Sequence, residues 1–270
     1  MDKKVFLNDS RALYDVRHIA NFRDLVDSCA EKFPNEPAFK LKDSSGTYYT
    51  ISYTAWKDDV YALGAAMYEM GIKGTKVSVM GMNSYNWLLT YLATTIGSNV
   101  IVPVDKELMF DDINTILTVS ESSYLFADTK SLKKLEEKKE NLPTNLKIVI
   151  LDSAEDRDGY LGFGKVLEMG KKLVADNAAS YVDFCNNEID PDVCAVISFT
   201  SATSGIAKGV MISQKNTCFV VMANSSVADV HPGDQLLSVL PIHHTFECSL
   251  GILAQLYNGC CIAFAEGLLQ

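Results

Sequence analysis

Ile197-Ser198-Phe199-Thr200-Ser201-Ala202-Thr203-Ser204-Gly205-Ile206-Ala207-Lys208-Gly209-Val210-Met211-Ile212-Ser213 crowds hydroxyls, glycines and one lysine between two apolar runs. Residues 193–199 have the content of a buried strand, and a β-prone run resumes at 210–212, so 200–209 must be a tight connection. Its tip offers the hydroxyls of Thr200, Ser201, Thr203 and Ser204, the backbone freedom of Gly205 and Gly209, and the point charge of Lys208. Hydroxyl donors beside an ammonium suit a polyphosphate, although Ser, Thr and Gly also build ordinary hairpin loops. Spacing excludes two other phosphate motifs. A P-loop needs Gly-Lys followed by Ser or Thr and then a helix, whereas Lys208 lies between Ala207 and Gly209 and the chain leaves as a strand. The dinucleotide pattern Gly-x-Gly-x-x-Gly does not occur.

Around this loop, helix-period runs alternate with short strand-period runs. Residues 22–33 predict an amphipathic helix, and 38–41 with 48–52 a hairpin turning at Ser44-Ser45-Gly46. From 53 onward the alternation is regular: helix 53–70, strand 76–80, helix 85–97, strand 100–104, helix 111–120, strand 124–127, helix 131–139, strand 146–151. Helix 163–174 follows an acidic loop at 152–162; beyond the hydroxyl-rich loop come helix 214–227, strand 236–240, helix 246–257 and strand 260–264. This βα rhythm predicts an α/β fold of mostly parallel sheet layers flanked by helices. Three stretches can be distinguished: 1–52 (helix and hairpin), 53–190 (βα repeats), and 191–270 (the loop and the βα units after it). Residues 266–270 add no capping element, so the sequence reads as a truncated chain.

A hydrophobic content of 48% over 270 residues is enough for a sizeable core and excludes a disordered chain. The net charge of −10 argues against nucleic acid or anionic membrane as a partner, since both need clustered Lys and Arg. The most basic run, 130–139, is interleaved with Glu136 and Glu137 and reads as a solvated helix face. The longest apolar stretches, 88–104 and 250–265, are broken by Asn, Ser, Gly and Gln and predict no membrane span. The start, with Asp2 and Asp9, has neither a secretory nor a transit pattern, so a cytoplasmic protein is expected. Seven cysteines without Cys-x-x-Cys spacing predict free thiols and no metal site, with Cys260 and Cys261 in the core.

Ser201-Ala-Thr-Ser-Gly-Ile-Ala-Lys-Gly209, followed by Val-Met-Ile-Ser-Gln-Lys-Asn216, resembles the signature loop of the adenylate-forming (AMP-binding) superfamily, usually Ser-Gly-Thr-Thr-Gly-x-Pro-Lys-Gly. Ala202, Ser204 and Ala207 stand where glycine, threonine and proline are usual. Thr95-Ile-Gly-Ser-Asn-Val-Ile-Val-Pro-Val-Asp105 is similar to the family's helix-to-strand segment ending in Pro-x-Asp, though Pro103 and Asp105 also suit a plain strand stop. Leu240-Pro-Ile-His-His-Thr-Phe-Glu247 resembles the segment of long-chain fatty acyl-CoA synthetases in which a histidine and an aromatic border the acyl and nucleotide sites. Without the family, Thr245 is an ordinary helix N-cap and the histidines are structural.

The resemblance runs from about Asn21 onward and implies a long-chain fatty acid-CoA ligase with ATP, Mg2+ and coenzyme A as co-reactants. It implies Thr200, Ser201, Thr203, Ser204, Gly205 and Lys208 on the triphosphate, and His244 with Phe246 beside the fatty acid. The family's magnesium glutamate, ribose aspartate and C-terminal lid lysine have no counterpart here. The chain alone is therefore expected to be inactive, with no catalytic residue of its own. Two alternatives stand beside this: a non-catalytic nucleotide- or acyl-binding module, and an adenylating enzyme for another carboxylic acid.

Overall fold

In the computed structural model, which describes residues 12–200 and 208–265, the βα rhythm becomes a seven-stranded sheet in the order β7-β6-β5-β3-β4-β8-β9. Its strands are β3 (Lys76–Met80), β4 (Val100–Val104), β5 (Tyr124–Ala127), β6 (Lys147–Ile150), β7 (Leu161–Gly162), β8 (Cys194–Thr200) and β9 (Lys208–Ser213). The pairs β3–β4, β3–β5, β4–β8, β5–β6 and β6–β7 are all parallel, as the α/β expectation requires. On one face, Ile113, Ile116 and Leu117 of α4 (Phe110–Val119) and Leu132 and Leu135 of α5 (Thr129–Glu136) bury Val102, Leu125 and Ile150. The other face receives α3 (Tyr85–Ile96), capped where Ser84 Oγ accepts the Trp87 N–H at 3.2 Å.

Outside α3 the helices α2 (Tyr53–Glu69), α6 (Phe163–Ala175) and α7 (Ala179–Asn186) meet through small residues. A Cβ at Gly170 would collide with the Ala62 carbonyl, and one at Gly64 with the Phe184 ring. The ring of Phe184 also meets Tyr61 and Tyr68 edge-on at 5.7 and 5.4 Å. Burying this one side chain contributes roughly 1.5–3 kcal/mol and holds α7, a helix the sequence reading did not anticipate. Helix α5 begins at Thr129 instead of 131 because Asp128 is its N-cap, accepting the Ser131 N–H at 2.7 Å.

The chain divides into two compact units, residues 1–58 with 213–270 and residues 59–212, which cut across the three stretches distinguished in the sequence. The seven-stranded sheet belongs to the contiguous unit. The discontinuous unit holds a four-stranded sheet, β10-β11-β1-β2, built from β1 (Pro37–Lys42), β2 (Tyr48–Ser52), β10 (Gln235–Ser238) and β11 (Cys261–Phe264). β1 and β2 form the expected antiparallel hairpin, while β11 lies parallel to both β1 and β10. In the hairpin turn, Asp43 Oδ1 accepts the backbone N–H groups of Ser45 and Thr47 at 2.8 and 2.9 Å, and Gly46 takes φ +87°.

Helices α1 (Phe22–Lys32) and α8 (Gln214–Ser225) cover this smaller sheet together with α9 (Ala254–Tyr257). Long-range polar bonds join its two sequence stretches. Arg17 donates to Tyr257 O at 2.6 Å and to Ser28 Oγ at 2.9 Å, with its guanidinium 3.8 Å above the Tyr257 ring. Tyr53 Oη donates to Leu256 O and Cys260 O at 3.0 and 2.7 Å, and the Phe22 N–H donates to Gln214 Oε1 at 2.8 Å. All seven cysteines are free, and Cys260 and Cys261 are buried as expected. Among the described residues no helix is long and apolar enough to cross a membrane.

Candidate functional site

Parallel strands put their carboxyl ends on one edge, and ligands of open α/β sheets gather there, above all where successive connections diverge. In the seven-stranded sheet β3 connects onward to β4 on one side and β5 to β6 on the other, so the divergence lies between β3 and β5. That crevice is filled. Asp128, only 8% exposed, reaches across it to accept the Met82 N–H at 2.7 Å while its other oxygen caps α5. Gly81 makes room for this, since a Cβ there would sit 2.9 Å from Asp128 Oδ2. No feature of the sequence reading singled out Asp128; Asp before Thr-Lys-Ser is an N-cap signal that would have located it.

The same edge is open at β8. Because β8 runs parallel to β4, with Val196 opposite Ile101, Thr200 emerges on the carboxyl side, and β9 starts at Lys208. Both residues are exposed, and among the described residues none forms an ion pair with the Lys208 ammonium. Ser201, Thr203, Ser204 and Gly205 lie outside the described residues, as does Ala202. What is visible is the frame of the loop: two hydrogen-bonded strands that hold residues 200 and 208 at its mouth. Gly209 belongs to this frame through packing, because a Cβ there would come within 2.8 Å of the Ile197 side chain. Among the described residues no three His, Cys, Asp or Glu side chains cluster to hold a metal ion.

His244 and Phe246 sit in the other unit, in the segment after β10. The strand ends at Ser238, two residues before the predicted stop, and a turn follows in which the His244 N–H donates to Pro241 O at 3.0 Å. His244, Thr245 and Phe246 face outward, Phe246 being 62% exposed, between the buried residues Ile242 and Glu247. The His243 and His244 rings are 4.2 Å apart. The helix expected over 246–257 is wound differently: Glu247–Leu253 is a π-helical turn leading into α9, with the Ala254 N–H bonded to Ser249 O five residues back.

The sequence is 27% identical over 280 residues to fatty acyl-CoA synthetase B of Dictyostelium discoideum, an alignment covering 97% of this chain and 39% of that protein. It is 28% identical to long-chain-fatty-acid–CoA ligase 1 of Cavia porcellus, covering 97% of the chain and 38% of the relative. The chain thus spans well under half the length of these relatives. Among solved structures, a red-emitting luciferase from Phrixothrix hirtus superposes with a TM-score of 0.77 at 19% identity, covering 90% of this chain and 46% of the luciferase. The AMP-binding enzyme family matches residues 26–269, so the chain belongs to that adenylate-forming family.

Proposed function

We propose that this chain carries the phosphate-gripping part of an ATP-dependent ligase that joins long-chain fatty acids to coenzyme A in the cytoplasm. In this reading Thr200, Ser201, Thr203, Ser204, Gly205 and Lys208 steady the β- and γ-phosphates of magnesium-bound ATP. The fatty acid carboxylate forms a bond to the α-phosphorus and pyrophosphate leaves with the electron pair of the broken P–O bond. The coenzyme A sulfur then bonds to the acyl carbon and AMP departs. Positioning and charge neutralisation dominate such chemistry, which is why hydroxyls and an ammonium suffice on the loop. His244 and Phe246 border the acid.

The observation that supports this reading is the family match over residues 26–269 together with an exposed Thr200 and Lys208 at the open carboxyl edge. Equilibrium binding of ATP tests it. The wild-type chain should take up ATP, and Lys208→Ala should weaken uptake about tenfold, as expected for losing one charge-assisted contact. A wild-type chain that ignores ATP, or a variant that binds it equally well, removes the reading. Since the matched part is 39% of a full-length relative, pyrophosphate exchange by the 270-residue polypeptide should stay at background.

A second reading draws on Ala202 and Ala207, which stand where the family motif has glycine and proline. A Cβ at 202 opposes close backbone approach to phosphate, favouring a non-catalytic nucleotide- or acyl-binding module. Ala202→Gly separates the two: tighter ATP binding by the variant favours the module, and unchanged binding favours the ligase.

A further inference from the structure

Glu247 is a buried acidic side chain. It is 4% exposed in the π-helical turn, whose other buried residues are Cys248, Ile252 and Leu253, and it accepts a 2.5 Å hydrogen bond from Ser238 Oγ, itself 3% exposed, at the end of β10. Burying a polar group is costly unless its hydrogen bonds repay it, so the Ser238 hydroxyl is a specific partner. Two further features make room for it. A Cβ at Gly251 would strike Glu247 Oε2 and lie 2.8 Å from its carboxyl carbon, so only glycine leaves space there. The widened turn is held by Gln255, 8% exposed, whose Nε2 donates to Leu250 O at 2.9 Å.

The Ser238–Glu247 bond closes the base of a turn whose crown is His244-Thr245-Phe246. We propose that Glu247 is a positioning residue: by clamping the turn to the end of β10 it fixes the direction in which His244 and Phe246 face outward, and so shapes the acid-binding surface. This rests on the reading that these two residues border the acid. The clamp itself is a statement about geometry and is tested separately.

The experiment uses the 270-residue chain labelled with 15N in its four histidines, of which His18 and His231 are internal controls. Ser238→Ala deletes one oxygen and should move the imidazole signals of His243 and His244 while leaving those of His18 and His231 in place. Gly251→Ala, which displaces the carboxylate, should reproduce that pattern. Glu247→Gln keeps an acceptor for Ser238 and should leave the wild-type spectrum. Binding of a fluorescent sixteen-carbon acid should weaken about tenfold in Ser238→Ala and recover in Glu247→Gln. Unmoved imidazoles in Ser238→Ala overturn the clamp, as does a Glu247→Gln spectrum matching Ser238→Ala. If wild type fails to bind the acid, the ligase reading falls while the imidazole spectra still decide the clamp. If the imidazoles move but acid binding does not, the clamp stands and its role in acid binding is overturned.

Discussion

The two compact units solve the same problem in opposite ways. Residues 59–212 build most of their sheet from successive βα units, β3 with β4, β5 with β6 and β6 with β7, and only the β4–β8 pairing spans several intervening strands. The other unit joins 1–58 to 213–270, and its central pairing sets Phe39 of β1 against Ile262 of β11. It also collects buried thiols. Burial pushes Cys29 up to about 11, with the Arg17 guanidinium pulling the other way, and pushes Cys218 up to about 12. The contiguous unit contains Cys185 and Cys194, neither of them fully buried. Local pairing thus makes an extended layered sheet, and distant pairing relies on a small sheet pinned by long-range polar bonds.

Each unit contains one fully buried tryptophan, Trp56 in the discontinuous unit and Trp87 in the contiguous one. Neither indole N–H has an acceptor among the described residues, so replacing either by Phe removes no hydrogen bond and leaves the other as a reporter. The largest effect is expected from Phe126→Ala, on β5 beside the central strand β3: a loss of about 3–5 kcal/mol read by Trp87 in a urea titration. If Trp56 reports the same loss, the units unfold as one and the distinction between them fails.

The next effect is a pH dependence that is steeper in the discontinuous unit, where burial raises Cys29 and Cys218 strongly. The Cys29 thiol titrates near its ordinary value of 9.0 when unfolded and near about 11 when folded. Its contribution to stability is therefore fully present below pH 9 and is lost as pH rises toward 11. The loss for this thiol is on the order of 3 kcal/mol. Trp56 should show a steeper fall of the urea midpoint across that window than Trp87, whose unit holds only the part-buried Cys194 thiol raised in the same direction, and Cys29→Ala should flatten part of the slope at Trp56. Equal slopes at both reporters would contradict the assignment. The smallest effect is Asn21→Ala: Asn21 Oδ1 accepts the Asp24 N–H at 3.0 Å, and removing this cap of α1 should cost about 1 kcal/mol at Trp56 alone.

The contiguous unit was largely legible in the sequence. Its strands announce themselves by Val, Ile and Leu runs bounded by Gly, Asp and Ser, and its connections are helices of ordinary period. Helix α7 escaped because a single anchor, Phe184, holds eight residues whose other members are mostly polar or small. The pairing of β1 with β11 escaped because periodicity says which face of a strand is buried but not which distant strand lies beside it. At the candidate site, Thr200 and Lys208 were readable as motif positions, and the strands framing them are seen. Glu247 was quoted only as the last letter of a motif. Its role depends on Ser238 and Gly251, which no spacing rule links to it.

The discontinuity of the smaller unit also dictates an order of events on the ribosome. The β1–β2 hairpin leaves the exit tunnel with Phe39 lacking its Phe264 neighbour, and its partner β11 is not made until more than two hundred residues later. At ordinary elongation rates of about 5–20 residues per second, that wait lasts roughly 10–40 s. The intervening parallel layers can mature meanwhile, whereas the nascent amino-terminal segment must be shielded from aggregation by a holding chaperone or by its own transient collapse.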